Sequence, residues 1–314
     1  MIRVAELRVM PDGSVSVTGH VPTGSFASIG SFDGVHVGHV RVIEQARQKA
    51  AGGPLSVIFF DPHPHLFFKP DSEPFRLSRV EQQLALFDGL GIDHAVIIRF
   101  DDNLARMSAE DFARKVLGEA LKVAFVGAGF DFNFGARGAG KAGDLVRFGQ
   151  MFGFGVGILD CQVDAAGNKL SSSAVREALK LGDVATAVAI LGRPQAYLGE
   201  VVHGAKQGRT IDFPTLNVQL GAYQRPLYGI YVTQTRLGDG RGINGVSNIG
   251  VRPTVGGNIE LLETYLFDFS EEIYGQEVET LLLAFLRAEA KFESFEAMKV
   301  QIAKDAEMAR AWFG

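Results

Sequence analysis

The chain has 314 residues, enough to bury a sizeable core and, on length, to form about two domains. Hydrophobic residues make up 46%, charged residues 21%, and the formal net charge is -5, an ordinary globular profile without the Lys- and Arg-rich footprint of a broad nucleic-acid binder. The one cysteine, Cys161, excludes an internal disulfide or cysteine-cluster metal site, and neither a signal-peptide pattern nor a membrane-length apolar run is present, so a cytoplasmic protein is expected.

In chain order, Phe26 to Phe32 reads as a short buried strand, and Val40, Ile43, Ala46 and Ala50 then recur at helical spacing, placing a helix start near Gly38. Strand-like Leu55 to Phe60, a helix around Val80 to Leu90, strand-like Ala95 to Phe100, a helix from Ser108 to Leu117 and strand-like Val123 to Val126 follow. That rhythm predicts βαβ units around a parallel sheet. Val156 to Val163 is a further apolar run in which Cys161 is expected to pack as a strand residue. Ser171 to Ser173 precede a helical stretch from Ala174 to Leu191.

After Gly192-Arg193-Pro194 the pattern changes to short β-rich runs at Tyr197 to Val202, Gly229 to Thr235, Glu260 to Phe269 and Val278 to Arg287. Such runs between turn signals suggest a small barrel. From Ser294, Phe295, Met298, Ile302, Ala306 and Ala309 share one face, predicting an amphipathic helix packed on that barrel. The expected domains are therefore 1–186 and 187–314.

The segment Gly30-Ser31-Phe32-Asp33-Gly34-Val35-His36-Val37-Gly38-His39 puts two histidines where a strand runs into a helix. Helix N-termini attract phosphate, and imidazoles there are able to donate to an oxyanion, although polar capping is the competing reading. Gly135 to Ala142 imitates a phosphate-binding loop but ends in alanine and lacks a following helix signal; Gly138, Gly140 and Gly143 fit a dinucleotide fingerprint without a strand leading in. Both are rejected. The aromatic run Gly129-Phe130-Asp131-Phe132-Asn133-Phe134-Gly135 either packs on a planar ring or fills the core, and the residues alone favour the core.

His63, between Pro62 and Pro64, lies where a parallel strand delivers ligand-binding residues, though a proline-stiffened turn explains it equally well. Ser171, Ser172, Ser173 and Arg176 open another helix. Capping explains the serines but not an arginine in the first turn, against the dipole preference. In GAKQGRTIDFPTLN, residues 204–217, Thr215 and Asn217 are hard oxygen donors suited to a nucleotide-bound Mg2+, and also ordinary turn residues. Glu263 alternates with Tyr265, Phe267 and Phe269. This puts a carboxylate on an aromatic face, where an unpaired one would suit a general base; the competing reading is a strand-end carboxylate reaching solvent or an arginine such as Arg287.

Together GSFDGVHVGH, FDPHPH, GFDFNFG, SSSAVREAL, HGAKQGRTIDFPTLN, GVSNIGVRPT and ETYLFDF…IYG resemble, in order and over nearly the whole chain, the bacterial bifunctional riboflavin kinase/FMN adenylyltransferases, or FAD synthetases. The resemblance implies an α/β nucleotidyltransferase domain with a Rossmann-like parallel sheet, followed by a small β-barrel riboflavin kinase domain with a C-terminal helix. It implies riboflavin, FMN and ATP as ligands, Mg2+ as cofactor, and neither nucleic acid nor membrane as partner; oligomeric state stays open.

By the same resemblance, Glu263 activates the ribityl hydroxyl, Thr215 and Asn217 hold the metal, and Gly204, Lys206, Gly208 and Thr215 contact ATP phosphates. His36 and His39 stabilise the α-phosphate during adenylylation, and Ser172 and Arg176 hold pyrophosphate. Gly30, Phe32, Asp33, Gly38 and Ser173 join the nucleotide site, with His63, Asn133 and Arg287 at the flavin. Ile211-Asp212 replaces the family's usual Leu-Gly, Leu216 its alanine, Ser173 a threonine and Tyr265 a histidine. Asp212 puts a negative charge beside a phosphate site, which leaves open an adenylyltransferase-only protein with a flavin-binding barrel; a separate alternative is a nonenzymatic flavin or nucleotide sensor.

Overall fold

The strand–helix alternation of the first half builds a seven-stranded sheet in the computed structural model, which describes residues 1–163, 167–203, 213–254 and 257–314. Its elements are β1 (Arg3–Val9), β2 (Val15–Thr18), β3 (Phe26–Ile29), α1 (Val37–Ala50), β4 (Leu55–Asp61), α2 (Pro64–Phe68), α3 (Val80–Gly89) and β5 (His94–Arg99). Then come α4 (Asp102–Arg106), α5 (Ala109–Asp111), a π-helical stretch Phe112–Ala120, β6 (Phe125–Gly129), β7 (Asn133–Phe134), β8 (Gly140–Lys141), α6 (Ala142–Phe152) and β9 (Gly155–Leu159). The sheet order is β2-β1-β5-β4-β3-β6-β9, parallel except for β2.

Apolar side chains cover both faces of the central strands, which explains why the run Leu55 to Phe60 is apolar on both faces but for Ser56. On one side Ile29, Ile58 and Ile98 pack with Leu117 and Phe148; on the other Val57 and Phe59 pack with Ile43 and Phe87. Because the chain moves from β3 outward to β4 and β5, then returns to β6 beside β3, the sheet reverses direction next to β3. Ligand crevices form at the carboxyl ends of strands at such a reversal.

Several expectations need correction. No strand was assigned before Phe26, yet β1 buries Ala5, Leu7 and Val9 between exposed neighbours. β9 stops at Leu159, so Cys161 is exposed rather than packed in a strand. A helix does follow the Gly135–Ala142 run, because Asp144 accepts from Lys141 N at 3.0 Å and starts α6. The predicted helix from Ser108 is α-helical only through Asp111 and then widens to π geometry.

The chain forms two compact units, Met1–Glu73 with Val80–Leu170, and Pro74–Arg79 with Ser171–Gly314. The second contains α7 (Ser172–Lys180), α8 (Val184–Leu191), β10 (Gln195–Val202), β11 (Thr215–Gln219), β12 (Gly229–Arg236), β13 (Gly242–Thr254), β14 (Gly257–Leu266), β15 (Glu277–Ala288) and α9 (Phe295–Phe313). Strands β10-β11-β14-β13-β12-β15 close an antiparallel barrel. Leu216, Val218, Tyr231, Ile249, Leu262 and Leu282 belong to its buried core. Thr233, Ser247 and Thr264 form a buried hydroxyl chain with 2.7 Å links. Each buried hydroxyl therefore has a partner, which avoids the desolvation cost of an unmade bond.

The tail helix lies on the barrel as predicted, through Ala306 and Ala309 against Val232, Val246 and Phe267. Phe295, expected on that face, is 51% exposed; it is the first residue of α9, directly after the Ser294 cap. Among the described residues no helix is long and apolar enough to cross a membrane.

Candidate active sites

The first site grows from the sheet reversal. β3 ends at Ile29, and the chain turns through Phe32 (φ 51°), Gly34 (φ 81°) and Val35 (φ 40°) before α1 begins. Such left-handed conformations are costly for side chains other than glycine and persist only when neighbours enforce them. Here Phe32 is buried edge-on against Phe87, and Gln83 Nε2 donates to the carbonyls of Phe32 (2.9 Å) and Ser31 (3.2 Å).

His36 and His39 cap α1 reciprocally. His36 Nδ1 accepts from His39 N at 3.4 Å, His39 Nδ1 accepts from His36 N at 3.3 Å, and the rings stack with centroids 3.6 Å apart. With each Nδ1 accepting, the proton of each neutral ring belongs on Nε2. Capping and phosphate binding are therefore compatible: the cap fixes the tautomer that keeps an N–H donor at a helix N-terminus. Gly38 is needed, since a Cβ there would stand 2.9 Å from His36 Cε1 and 3.2 Å from Leu170 O. Gly30 lies just after β3, and Asp33 is buried in the turn.

His63 caps α2, its Nδ1 accepting from His65 N at 3.1 Å, just past the carboxyl end of β4. Asn133 on β7 is exposed and accepts from Lys141 Nζ at 2.8 Å. The aromatic run divides: Phe134 is in the core and Phe132 packs against it, as expected, while Phe130 is exposed beneath Lys169. In the second unit Ser171, not Ser172 or Ser173, caps α7, its Oγ accepting from Ala174 N at 3.3 Å. Arg176 is the fifth residue of α7, past the first turn where it was expected, because the helix begins at Ser172; its Nε donates to Phe75 O at 2.7 Å and its guanidinium lies 4.8 Å over the Phe75 ring.

The second site is a row across barrel strands. Asn217 on β11 is in register with Glu263 on β14, Glu263 with Asn248 on β13, Asn248 with Ile230 on β12, and Ile230 with Arg287 on β15. Leu216, Val218, Leu262 and Ile249 fill the interior, so the alternating residues Thr215, Asn217, Glu263 and Asn248 face outward. Glu263 shares that face with Tyr265, and Phe267, just past the strand end, packs in the same outer cluster as Tyr265; Phe269 does not continue the alternation and packs with the barrel core.

The Glu263 carboxylate is not the unpaired group expected. Its Oε2 accepts from Arg252 Nε at 2.8 Å, from an Arg252 terminal nitrogen, and from Asn248 Nδ2 at 3.5 Å. Nor is its arginine Arg287, which makes a forked pair at 2.9 and 2.6 Å with Asp305, a buried carboxylate of α9. Glu260, three residues earlier and so on the other face of the strand, is a structural carboxylate: hydrogen bonding from Arg225 holds its pKa below the usual range. Burial first, and then the bond to Glu260, pushes the Tyr228 hydroxyl up to about 12.

Asn248 and Arg252 went unrecognised in the sequence although both stand in GVSNIGVRPT; their even spacing from one another on a strand was the available signal. Asn248 Oδ1 is buried and has no hydrogen-bond partner among the described residues, which leaves an acceptor oxygen on the residue paired with Glu263. With the Thr215 hydroxyl and the Asn217 amide it makes a hard-oxygen surface. No cluster of three His, Cys, Asp or Glu residues suited to a metal occurs among the described residues. The residues thus fit an ion held mainly by phosphates and water. Gly204, Lys206, Gly208 and Asp212 lie outside the described residues.

The family model for FAD synthetase matches residues 19–174, and that for riboflavin kinase matches 191–313. The bifunctional riboflavin kinase/FMN adenylyltransferase of Haemophilus influenzae is 40% identical over 297 residues, covering 92% of this chain and 94% of its own. Its namesake in Escherichia coli K12 is 38% identical, with 93% of each chain covered, and that of Pseudomonas fluorescens is 38% identical over 92% and 93%. A Streptococcus pneumoniae protein described as a macrolide-efflux protein has a similar solved structure, with TM-score 0.82 and 29% identity over 93% of this chain and 96% of that one. Both domain models, in sequence order, and relatives similar along their full length lead to one assignment: the chain belongs to the bifunctional riboflavin kinase/FMN adenylyltransferase family.

Proposed function

We propose that this enzyme of flavin cofactor synthesis phosphorylates riboflavin at the outer barrel row and adenylylates FMN at the His36–His39 cap, consuming one ATP at each step. The observation that carries the reading is the in-register row Asn217–Glu263–Asn248, which sets one carboxylate among hard oxygen donors. In the first reaction the ribityl 5′-oxygen bonds to the γ-phosphorus while the bond from that phosphorus to the β–γ bridging oxygen breaks, its electron pair leaving on ADP. The hydroxyl proton passes to Glu263. Thr215 and Asn217 would hold Mg2+, which supplies charge neutralisation on the ATP phosphates. Positioning does most of the remaining work.

In the second reaction a phosphate oxygen of FMN bonds to the α-phosphorus of ATP, and the bond to the α–β bridging oxygen breaks to release pyrophosphate. His36 and His39 donate from Nε2 to the α-phosphate oxygens, where charge accumulates. Gly30, Phe32, Asp33 and Gly38 shape the nucleotide site around that cap. Ser172, Ser173 and Arg176 are assigned to the pyrophosphate end, His63 and Asn133 to the flavin, and Arg287 to the flavin of the barrel. Gly204, Lys206 and Gly208 are assigned to phosphates of the kinase ATP. Along the sequence, the boundary between the functional modules is assigned near residue 187, and a cytoplasmic location belongs to the same reading.

The test is chromatography of the protein with riboflavin, ATP and Mg2+, beside a reaction started from FMN. FMN followed by FAD supports both assignments. FAD formed only from supplied FMN would reduce the barrel to a binding domain, and neither product would leave a ligand-binding protein without turnover.

A further inference from the structure

Three donors converge on a single oxygen of Glu263. Arg252 Nε, an Arg252 terminal nitrogen and Asn248 Nδ2 all point at Oε2, and no described residue donates to Oε1. An arginine that merely paired with a carboxylate would favour the fork that uses both oxygens. This one puts two nitrogens on a single oxygen and leaves the other without a donor among the described residues.

Arg252 is itself held from behind. Its other terminal nitrogen lies 3.6 Å from Glu289 Oε1, just past the end of β15. Room for that carboxylate comes from Gly250, on the same strand face between Asn248 and Arg252: a Cβ at 250 would stand 2.1 Å from Glu289 Oε1. The chain Glu289–Arg252–Glu263 thus has a glycine where its first member needs space. The Glu263 side chain is 23% exposed, so the groups packed around it, the arginine among them, decide which rotamer it holds.

We propose that Arg252 is a positioning residue for phosphorylation, fixing Glu263 through Oε2 so that Oε1 is presented to the substrate hydroxyl. This inference rests on the reading of Glu263 as the base. Arg252 acts through Glu263 and needs no contact with riboflavin or ATP, so its loss lowers kcat rather than raising KM.

The test compares full-length wild type, Arg252→Gln, Arg252→Lys and Glu263→Gln for FMN formation from riboflavin, with FMN-to-FAD conversion followed in each. Arg252→Gln is expected to lower kcat for FMN formation about 10- to 100-fold with riboflavin KM within about threefold, while FAD formation from FMN stays within about twofold. Arg252→Lys, which keeps the charge but not the two-nitrogen grip, should fall between. Unchanged kcat in Arg252→Gln, or a raised KM with kcat retained, overturns the proposal. Should Arg252→Gln fail to fold, Arg252→Lys decides: wild-type kcat there overturns the proposal, and reduced kcat at unchanged KM supports it. Substantial FMN formation by Glu263→Gln would instead remove the base assignment; loss in Glu263→Gln beside wild-type kcat in both Arg252 variants would remove only the positioning role.

Discussion

The two sites are built in opposite ways. The His36–His39 site is local: ten consecutive residues supply the turn, the helix cap and both imidazoles, and backbone N–H groups lock the rings. The barrel site is assembled by register, with Asn217, Glu263, Asn248 and Arg252 brought together by pairing of β11, β14 and β13. A local site fails through backbone changes that touch its cap. A register-built site fails through loss of individual side chains, while its backbone stays fixed by the closed barrel.

The contrast is sharpest for Glu263→Gln, expected to reduce FMN formation by at least about a thousandfold, since an amide neither accepts the hydroxyl proton nor carries charge, while FMN-to-FAD conversion stays near wild type. Chromatographic product analysis reads both. His36→Ala should do the reverse, removing one phosphate donor and half of the reciprocal cap and lowering FAD formation about 10²- to 10³-fold with FMN formation retained. Gly38→Ala retains both imidazoles but forces the His36 ring from its place. A loss of about tenfold in FAD formation is expected from this misplacement alone; full activity would mean that ring position in the cap is not what matters.

Asp305→Asn is expected to act first on stability and, through Arg287, which is assigned to the flavin of the barrel, also on riboflavin binding. It removes the charge that Arg287 grips from β15, lowering stability by about 2 kcal/mol, as expected when a charged hydrogen bond to a buried partner is lost. Urea unfolding followed by far-ultraviolet circular dichroism checks this. An unchanged midpoint would mean that the pair contributes nothing to docking α9 on the barrel.

The same division separates what was legible in the sequence from what was not. The histidines, the glycines and the start of α1 were readable because caps and helical spacing are short-range signals. So were β4, β5 and the placing of Glu263 on one strand face with Tyr265, each carried by a simple period. β11 and β13 were not assigned, because Thr215, Asn217, Asn248 and Arg252 interrupt the apolar pattern with the residues that face outward into the site. No local rule shows that Asn248 stands opposite Glu263, or that Arg252 rather than Arg287 grips its carboxylate, since both depend on pairing between strands. α6 was missed because its cap is formed by Asp144 within the first turn, and Cys161 was misplaced because its apolar neighbours continued past the hydrogen-bonded end of β9.

The central claim, two separate chemical sites in one chain, is tested most directly by mixing Glu263→Gln with His36→Ala and following riboflavin, FMN and FAD by chromatography. Neither variant alone should convert riboflavin to FAD, and the mixture should do so, with FMN released by one protein and consumed by the other. FAD formation from riboflavin by either variant alone would contradict the account.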